Sequence, residues 1–347
     1  MSRRIAAAFD DQAVHCDALG SPFMGQLMRL CARRLSNENP VAAALLAFEG
    51  NLGPSGHSVP LRFAGALHHL LLSGRAEEIT ARWPPNTSTD DQLWSAVRSA
   101  MHNHAEALLA MIALPPQTNE IRRSAALVPA LHLIAATTGL PLVLSELGAS
   151  AGLNLHCDQF GLQAGREWFG PQAARVRLTP EWRGRPARPG PLNVAARAGV
   201  DLSPFDLESA AQTNRLLAYL WADQPERMAN TRAAIDLARA APPTIKRGDA
   251  VDWLASRLAQ DYSGRAHVVY HTVAWQYFLA ERQKEGEALL SAAGRAATAR
   301  APLARFSMES DGDQPGALLT LQIWPDGTKL HLGRADFHGR WIDWQAA

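Results

Sequence analysis

Pro141-Leu142-Val143-Leu144-Ser145-Glu146-Leu147-Gly148-Ala149-Ser150-Ala151-Gly152-Leu153-Asn154-Leu155 is a short apolar run that ends on a carboxylate and breaks into a loop of small residues. A continuous apolar run between a proline and a glycine reads as a parallel strand buried on both faces. Small residues directly after it let the backbone turn sharply and approach a ligand, with the N-terminal N–H groups of a following helix facing the same point. Similar runs follow at Leu192 to Asp201, Thr244 to Arg247, Ala266 to Val273 and Leu303 to Met308. Helical spacing fills the gaps at Asn214 to Leu220, Ala229 to Ala240, Val251 to Gln260 and Gln276 to Thr298. Strands alternating with helices predict a parallel α/β sheet. The tail departs from that alternation, because Ala317 to Trp324 and Lys329 to Gly333 flank Pro325-Asp326-Gly327-Thr328 as an antiparallel hairpin would.

Upstream, apolar residues recur at helical spacing, as in Met24, Leu27, Met28, Leu30 and Cys31, and no strand is expected before Gly139. Ser21 before Pro22 reads as a helix cap. Thr118 or Asn119 would cap a helix running to about Thr138. The expected organisation is therefore a helical domain over 1–138 and a sheet domain over 139–347, with a Gly/Pro/Arg-rich insertion around 165–191. With 34 Lys plus Arg against 33 Asp plus Glu, the 347-residue chain has no charge excess that would draw it to nucleic acid or to an anionic membrane. Cys16, Cys31 and Cys157 are odd in number and widely spaced, which fits a reducing, cytoplasmic setting. Neither a signal peptide nor a transmembrane span is expected. His68-His69 and His102-Asn103-His104 lack ligand spacing, so no metal is expected. The partner read from this pattern is a small-molecule substrate; the oligomeric state is left open.

Two further carboxylates follow strands in the way Glu146 does. Asp201, in Gly199-Val200-Asp201, falls at a strand tip where it would accept the hydroxyls of a ribose. Asp249, in Gly248-Asp249-Ala250, falls where it would accept from an adenine amino group. The pattern resembles the class I S-adenosylmethionine-dependent methyltransferases. These have an acid and glycine-rich turn after strand one, an acid after strand two, and often Gly-Asp-Ala after strand three. The resemblance implies a Rossmann-like seven-stranded sheet ending in an antiparallel hairpin. It also implies S-adenosylmethionine held by Glu146, Gly148, Ser150, Gly152, Asp201, Asp249 and Ala250. Ser150 stands where that family usually has its middle glycine, and the step from Gly148 to Asp201 is longer than a simple βαβ unit needs. Pro116 to Leu127 and Glu146 to Leu155 more closely resemble a bacterial family of unknown function, number 2332 in its series, for which no activity is established.

Methyl transfer to an unidentified small acceptor is the expected function. The acceptor would bind beyond the fourth strand, where His271 is a candidate base and Trp275 and Tyr277 are candidate walls. Asn119, Arg122 and Arg123 form a polar group suited to a carboxylate of cofactor or substrate. Glu309 and His338 are weaker candidates. Gly148-Ala149-Ser150-Ala151-Gly152 also spells a serine-hydrolase elbow, with Asp311 or Asp336 and His338 downstream. The helical reading of the first 140 residues or so opposes it, since that fold needs strands before its elbow. A cofactor-binding protein without catalysis is the third expectation.

Overall fold

The computed structural model describes residues 3–346. It opens with helices α1 (Arg3–Ala18), α2 (Pro22–Arg34), α3 (Pro40–Leu46), α4 (Val59–Leu72), α5 (Glu77–Thr80), α6 (Asp90–Asn103), α7 (Ala105–Ile112) and α8 (Ser124–Thr138). Strands β1 (Leu142–Leu147), β2 (Gly161–Ala164), β3 (Glu167–Phe169), β4 (Arg177–Leu178), β5 (Glu181–Arg183) and β6 (Val194–Asp201) follow. Next come α9 (Ala210–Ala218), α10 (Pro225–Ala240), β7 (Thr244–Arg247), α11 (Ala250–Leu258), β8 (Ala266–Thr272) and α12 (Ala280–Ala296). The chain closes with β9 (Leu303–Glu309), β10 (Ala317–Trp324), β11 (Thr328–Ala335) and β12 (Trp341–Trp344). A helical region thus precedes a mixed sheet that ends in antiparallel strands. No helix among the described residues is long and apolar enough to cross a membrane.

Two compact units form: Met1–Thr118 with Glu208–Ala229, and Asn119–Leu207 with Asn230–Ala347. This division differs from a boundary at 138/139. Helix α8 goes with the sheet because it lies against β8, β9 and β10. Helix α9 goes with the first unit, where the Tyr219 ring lies so close to Gly65 of α4 that a Cβ there would stand 2.5 Å from it. Ser21 makes no cap bond to α2; its hydroxyl donates to Asp223, which accepts the Phe23 N–H at 3.0 Å and caps the helix in its place.

The main sheet has nine strands in the order β5-β12-β11-β10-β9-β8-β1-β6-β7, not the expected seven. The excess arises because β12 pairs with β11, and β5, from the insertion, pairs in parallel with β12. Within the sheet β9, β8, β1, β6 and β7 are parallel, whereas β10 is antiparallel to both β9 and β11. Strands β3, β2 and β4 make a separate small sheet. Every residue of β1 and β8 is buried, as continuous apolar runs require. Alternate residues of β1 face α11: Ser145 Oγ accepts from Arg257 Nε at 3.0 Å, and Leu147 joins Val200, Val269, Trp253 and Leu254 in one core. The helix expected after the glycine loop is instead a 3-10 segment, Leu153–Gln159, whose first N–H is taken by the Asn119 side chain at 3.0 Å.

Candidate functional site

From β1 the sheet extends one way through β6 and β7 and the other way through β8 and β9. Connections leaving the C-terminal ends of β1 and β8 therefore diverge, and an open α/β sheet has its ligand crevice at such a switch point. The loops after these two strands meet there. Gly148, at φ +75°, would place a Cβ 2.7 Å from that of Ala274, so only glycine fits. The N–H groups of Gly148 and Ala149 both donate to Val200 O, at 3.0 and 2.9 Å, which ties the loop to β6. Ser150 is a non-glycine residue at φ +55°. Its N–H donates to Asp201 Oδ2 at 2.8 Å, while Asp201 Oδ1 accepts from the Ser203 N–H at 2.8 Å. The Ser150 hydroxyl is buried and has no hydrogen-bond partner. Gly152, at φ +72°, packs against Ile245 and Pro243, a structural contact.

Glu146 is buried at the end of β1, where its Oε2 accepts from the Tyr270 hydroxyl at 3.2 Å. Burial pushes its pKa up to about 8, so it is mostly protonated at neutral pH. Asp249 caps α11: its Oδ1 accepts the N–H groups of Val251 and Asp252 at 2.8 and 3.2 Å, Ala250 being the first helical residue. The same oxygen is ion-paired with Arg282. Burial raises the Asp249 pKa, but Arg282 and the two N–H donors outweigh it and hold the carboxyl below its usual range.

His271 is buried with both ring nitrogens engaged. Nδ1 lies 2.8 Å from Glu309 Oε1, and Nε2 accepts from Arg305 at 3.2 to 3.3 Å. Burial lowers its pKa. Its ring stacks on Trp275 at 5.0 Å, and Arg305 covers the Trp275 ring at 4.9 Å. The expected base and one expected wall are therefore packed against the C-terminal end of the interior strand β8, whereas Tyr277 is exposed. Glu309 organises this end: its carboxylate also accepts the N–H groups of Ala274, Trp275 and Gln276 at 3.0, 3.1 and 3.3 Å. Burial pushes the Glu309 pKa up, but His271 and these backbone donors prevail and hold it low.

Asn119, Arg122 and Arg123 have three different fates. Asn119 is buried and holds the 3-10 segment. Arg122 is neutralised by buried Glu120 through two bonds, Nε to Oε1 at 3.1 Å and Nη2 to Oε2 at 3.2 Å. Arg123 meets no carboxylate; its Nε donates to Phe337 O and its Nη1 to Thr272 O, both at 2.9 Å. The hydrolase partners are not assembled around Ser150. Asp311 is paired with Arg334 and Asp336 with Arg340, and no histidine is bonded to the Ser150 hydroxyl.

Val273 escaped sequence reasoning. This β-branched residue sits at φ +53°, immediately after β8 and beside Ala274. Such a conformation persists only where surroundings impose it, and it clusters at functional sites. Nothing in its residue type signals this. Glu309 could have been weighted more heavily, as a carboxylate ending a buried strand in Phe306-Ser307-Met308-Glu309.

Residues 6–344 match the family described as "Uncharacterized protein conserved in bacteria (DUF2332)", and the chain belongs to that family. No curated protein matches the chain.

Proposed function

We propose that the protein binds S-adenosylmethionine at the β1/β8 switch point and transfers its methyl group to a small acceptor. The observation that carries this reading is the order β7-β6-β1-β8-β9, with Glu146, Asp201 and Asp249 at or just after three successive strand ends. That order is the one in which the five parallel strands of a Rossmann-like methyltransferase sheet occur, and the antiparallel β10 beside β9 agrees with it. The connectivity of β10 to β12 is a simple meander, so the kinship proposed is in the parallel half.

The residues present suit the group. The orphaned Ser150 hydroxyl lies in the loop that would take the methionine portion. Asp201, at the tip of β6, accepts the N–H groups of Ser150 and Ser203 and so fixes the loop at the strand end where a ribose would lie. Asp249 Oδ2 lies outside the bonds that Oδ1 makes and would be the oxygen to accept from an amino group. When bound, the cofactor would supply an electrophilic methyl on a sulfonium, with a neutral thioether as leaving group and the acceptor's proton going to solvent. The chain's contribution is alignment. His271, with both nitrogens engaged, positions Glu309 and the loop after β8.

Calorimetry with S-adenosylmethionine and S-adenosylhomocysteine tests the proposal. Binding by wild type and its loss in Asp201→Ala are expected; absence of binding to folded wild type would overturn it. One observation favours a Ser150 hydrolase, namely the positive φ that a nucleophile elbow also imposes. Labelling of Ser150 by a fluorophosphonate, abolished in Ser150→Ala, would establish that reading in its place.

A further inference from the structure

Half-buried arginines at the sheet end are nearly all balanced: Arg122 by Glu120, Arg282 by Asp249 and Asp252, Arg305 by Glu287, Arg340 by Asp336. Arg123 is not. It is half-buried, and its guanidinium is fixed by two carbonyls, one at the end of β8 and one between β11 and β12. Its Nη2 takes no part in those bonds. Arg62 and Arg257 also lack a carboxylate, but aromatic rings cover them: Phe48 for the first, Trp253 and Tyr262 for the second. Burial lowers the Arg123 pKa, but a guanidinium stays protonated, and a planar fork so fixed is pre-organised for a carboxylate.

The charges that face Arg123 are Glu120, Glu309 and Glu146, together with the Tyr277 hydroxyl. Glu120 is matched by Arg122, Glu309 is clasped by His271 and three N–H groups, and burial keeps Glu146 mostly protonated at neutral pH. None of them forms an ion pair with Arg123. The Tyr277 ring is close enough to Arg123 for its hydroxyl to interact with the guanidinium electrostatically. Among the described residues the exposed large hydrophobics are Val14, Leu114, Leu202, Tyr277 and Leu279; the last two follow β8 directly and Leu202 follows β6. Exposed apolar side chains beside a convergent charged group are the usual make-up of a small-ligand site.

We infer that the acceptor is a small carboxylic acid with a flat apolar body, its carboxylate held by Arg123 and its body lying against Tyr277 and Leu279. This substrate class rests on the methyl-transfer reading above, but the anchor is testable apart from it.

The test compares benzoate with its neutral isostere benzamide by calorimetry on the full chain, with and without saturating S-adenosylhomocysteine. Wild type is expected to favour benzoate by about tenfold or more. Arg123→Gln should erase that preference while leaving the S-adenosylhomocysteine Kd within about twofold, and Arg122→Gln should retain it. Lack of discrimination by wild type overturns the inference without recourse to any variant. Loss of S-adenosylhomocysteine binding in Arg123→Gln with benzoate preference intact also overturns it, since the guanidinium would then serve the cofactor. Discrimination by a wild type that binds no S-adenosylhomocysteine upholds the anchor and sinks the cofactor reading alone.

Discussion

Replacing Gly148 by alanine tests whether the loops after β1 and β8 meet as described. The new Cβ would stand 2.7 Å from the Ala274 Cβ, roughly 1 Å inside the 3.5–4.0 Å optimum for carbon contacts. Two costs add. Holding alanine at φ +75° costs about 1 kcal/mol, and the overlap about 1–3 kcal/mol more. Gly148→Ala is thus expected to destabilise the sheet unit by about 2–4 kcal/mol. Ala274→Gly alone should cost about 0.5–1 kcal/mol through chain entropy. In the double variant the overlap disappears but the left-handed strain stays, so the two changes should couple favourably by about 1–3 kcal/mol. Urea unfolding of the four proteins followed by circular dichroism measures this, provided the denaturant slopes agree. Additivity to within about 0.5 kcal/mol would refute the contact between the loops.

Stability should also depend on pH through Glu146. Its folded pKa, about 8, lies above the ordinary 4.5, so its contribution is complete below pH 4.5 and is lost as pH rises through 8, with a slope of up to ~1.4 kcal/mol per pH unit. His267 and His156, pushed by burial down to about 3 and about 4, act in the opposite sense and lose stability as pH falls below 6.5. Wild type is therefore expected to be most stable near pH 6.5, and Glu146→Gln to flatten the decline from there to pH 8; an unchanged slope in urea titrations would count against a protonated Glu146. Glu309→Gln should loosen the loop after β8, since bonds to a charged acceptor contribute about 1.5–3 kcal/mol. Amide exchange across 273–279 should then rise at least about tenfold, and unaltered protection would show that Glu309 does not hold this loop.

Strand β1 was legible because its apolar run is closed by Pro141 and Gly148, and β7 has the bounds its sequence implied, Thr244–Arg247. The hairpin of β10 and β11 was legible from its turn residues, and the end of α8 from Gly139, which adopts φ +67°. Local signals of this kind carry their own geometry. Strand β12 was missed because Trp341-Ile342-Asp343-Trp344 is too short to show a period, and β5 because its partner lies far along the chain. The site divides in the same way. Carboxylates at strand ends could be read from spacing, but only the fold distinguishes Arg122, which is ion-paired with Glu120, from Arg123, whose guanidinium donates to two carbonyls.

Three carboxylates of this sheet end share a task that spacing alone does not reveal, because each holds backbone. Asp201 clasps Ser150 and Ser203, Asp249 clasps Val251 and Asp252, and Glu309 clasps Ala274, Trp275 and Gln276. Two of the three loops so held contain a non-glycine residue in the left-handed region, Ser150 and Val273. Such residues cost of order 1–3 kcal/mol each, and several charge-assisted bonds to backbone are of the size needed to offset that. Strain maintained by dedicated acids at adjoining strand ends is hard to explain as a requirement of folding, since relaxed turns would join the same elements. It is the expected signature of a crevice whose shape is fixed before a ligand arrives. In the proposed site the half-buried charge left to select the acceptor is positive and belongs to Arg123.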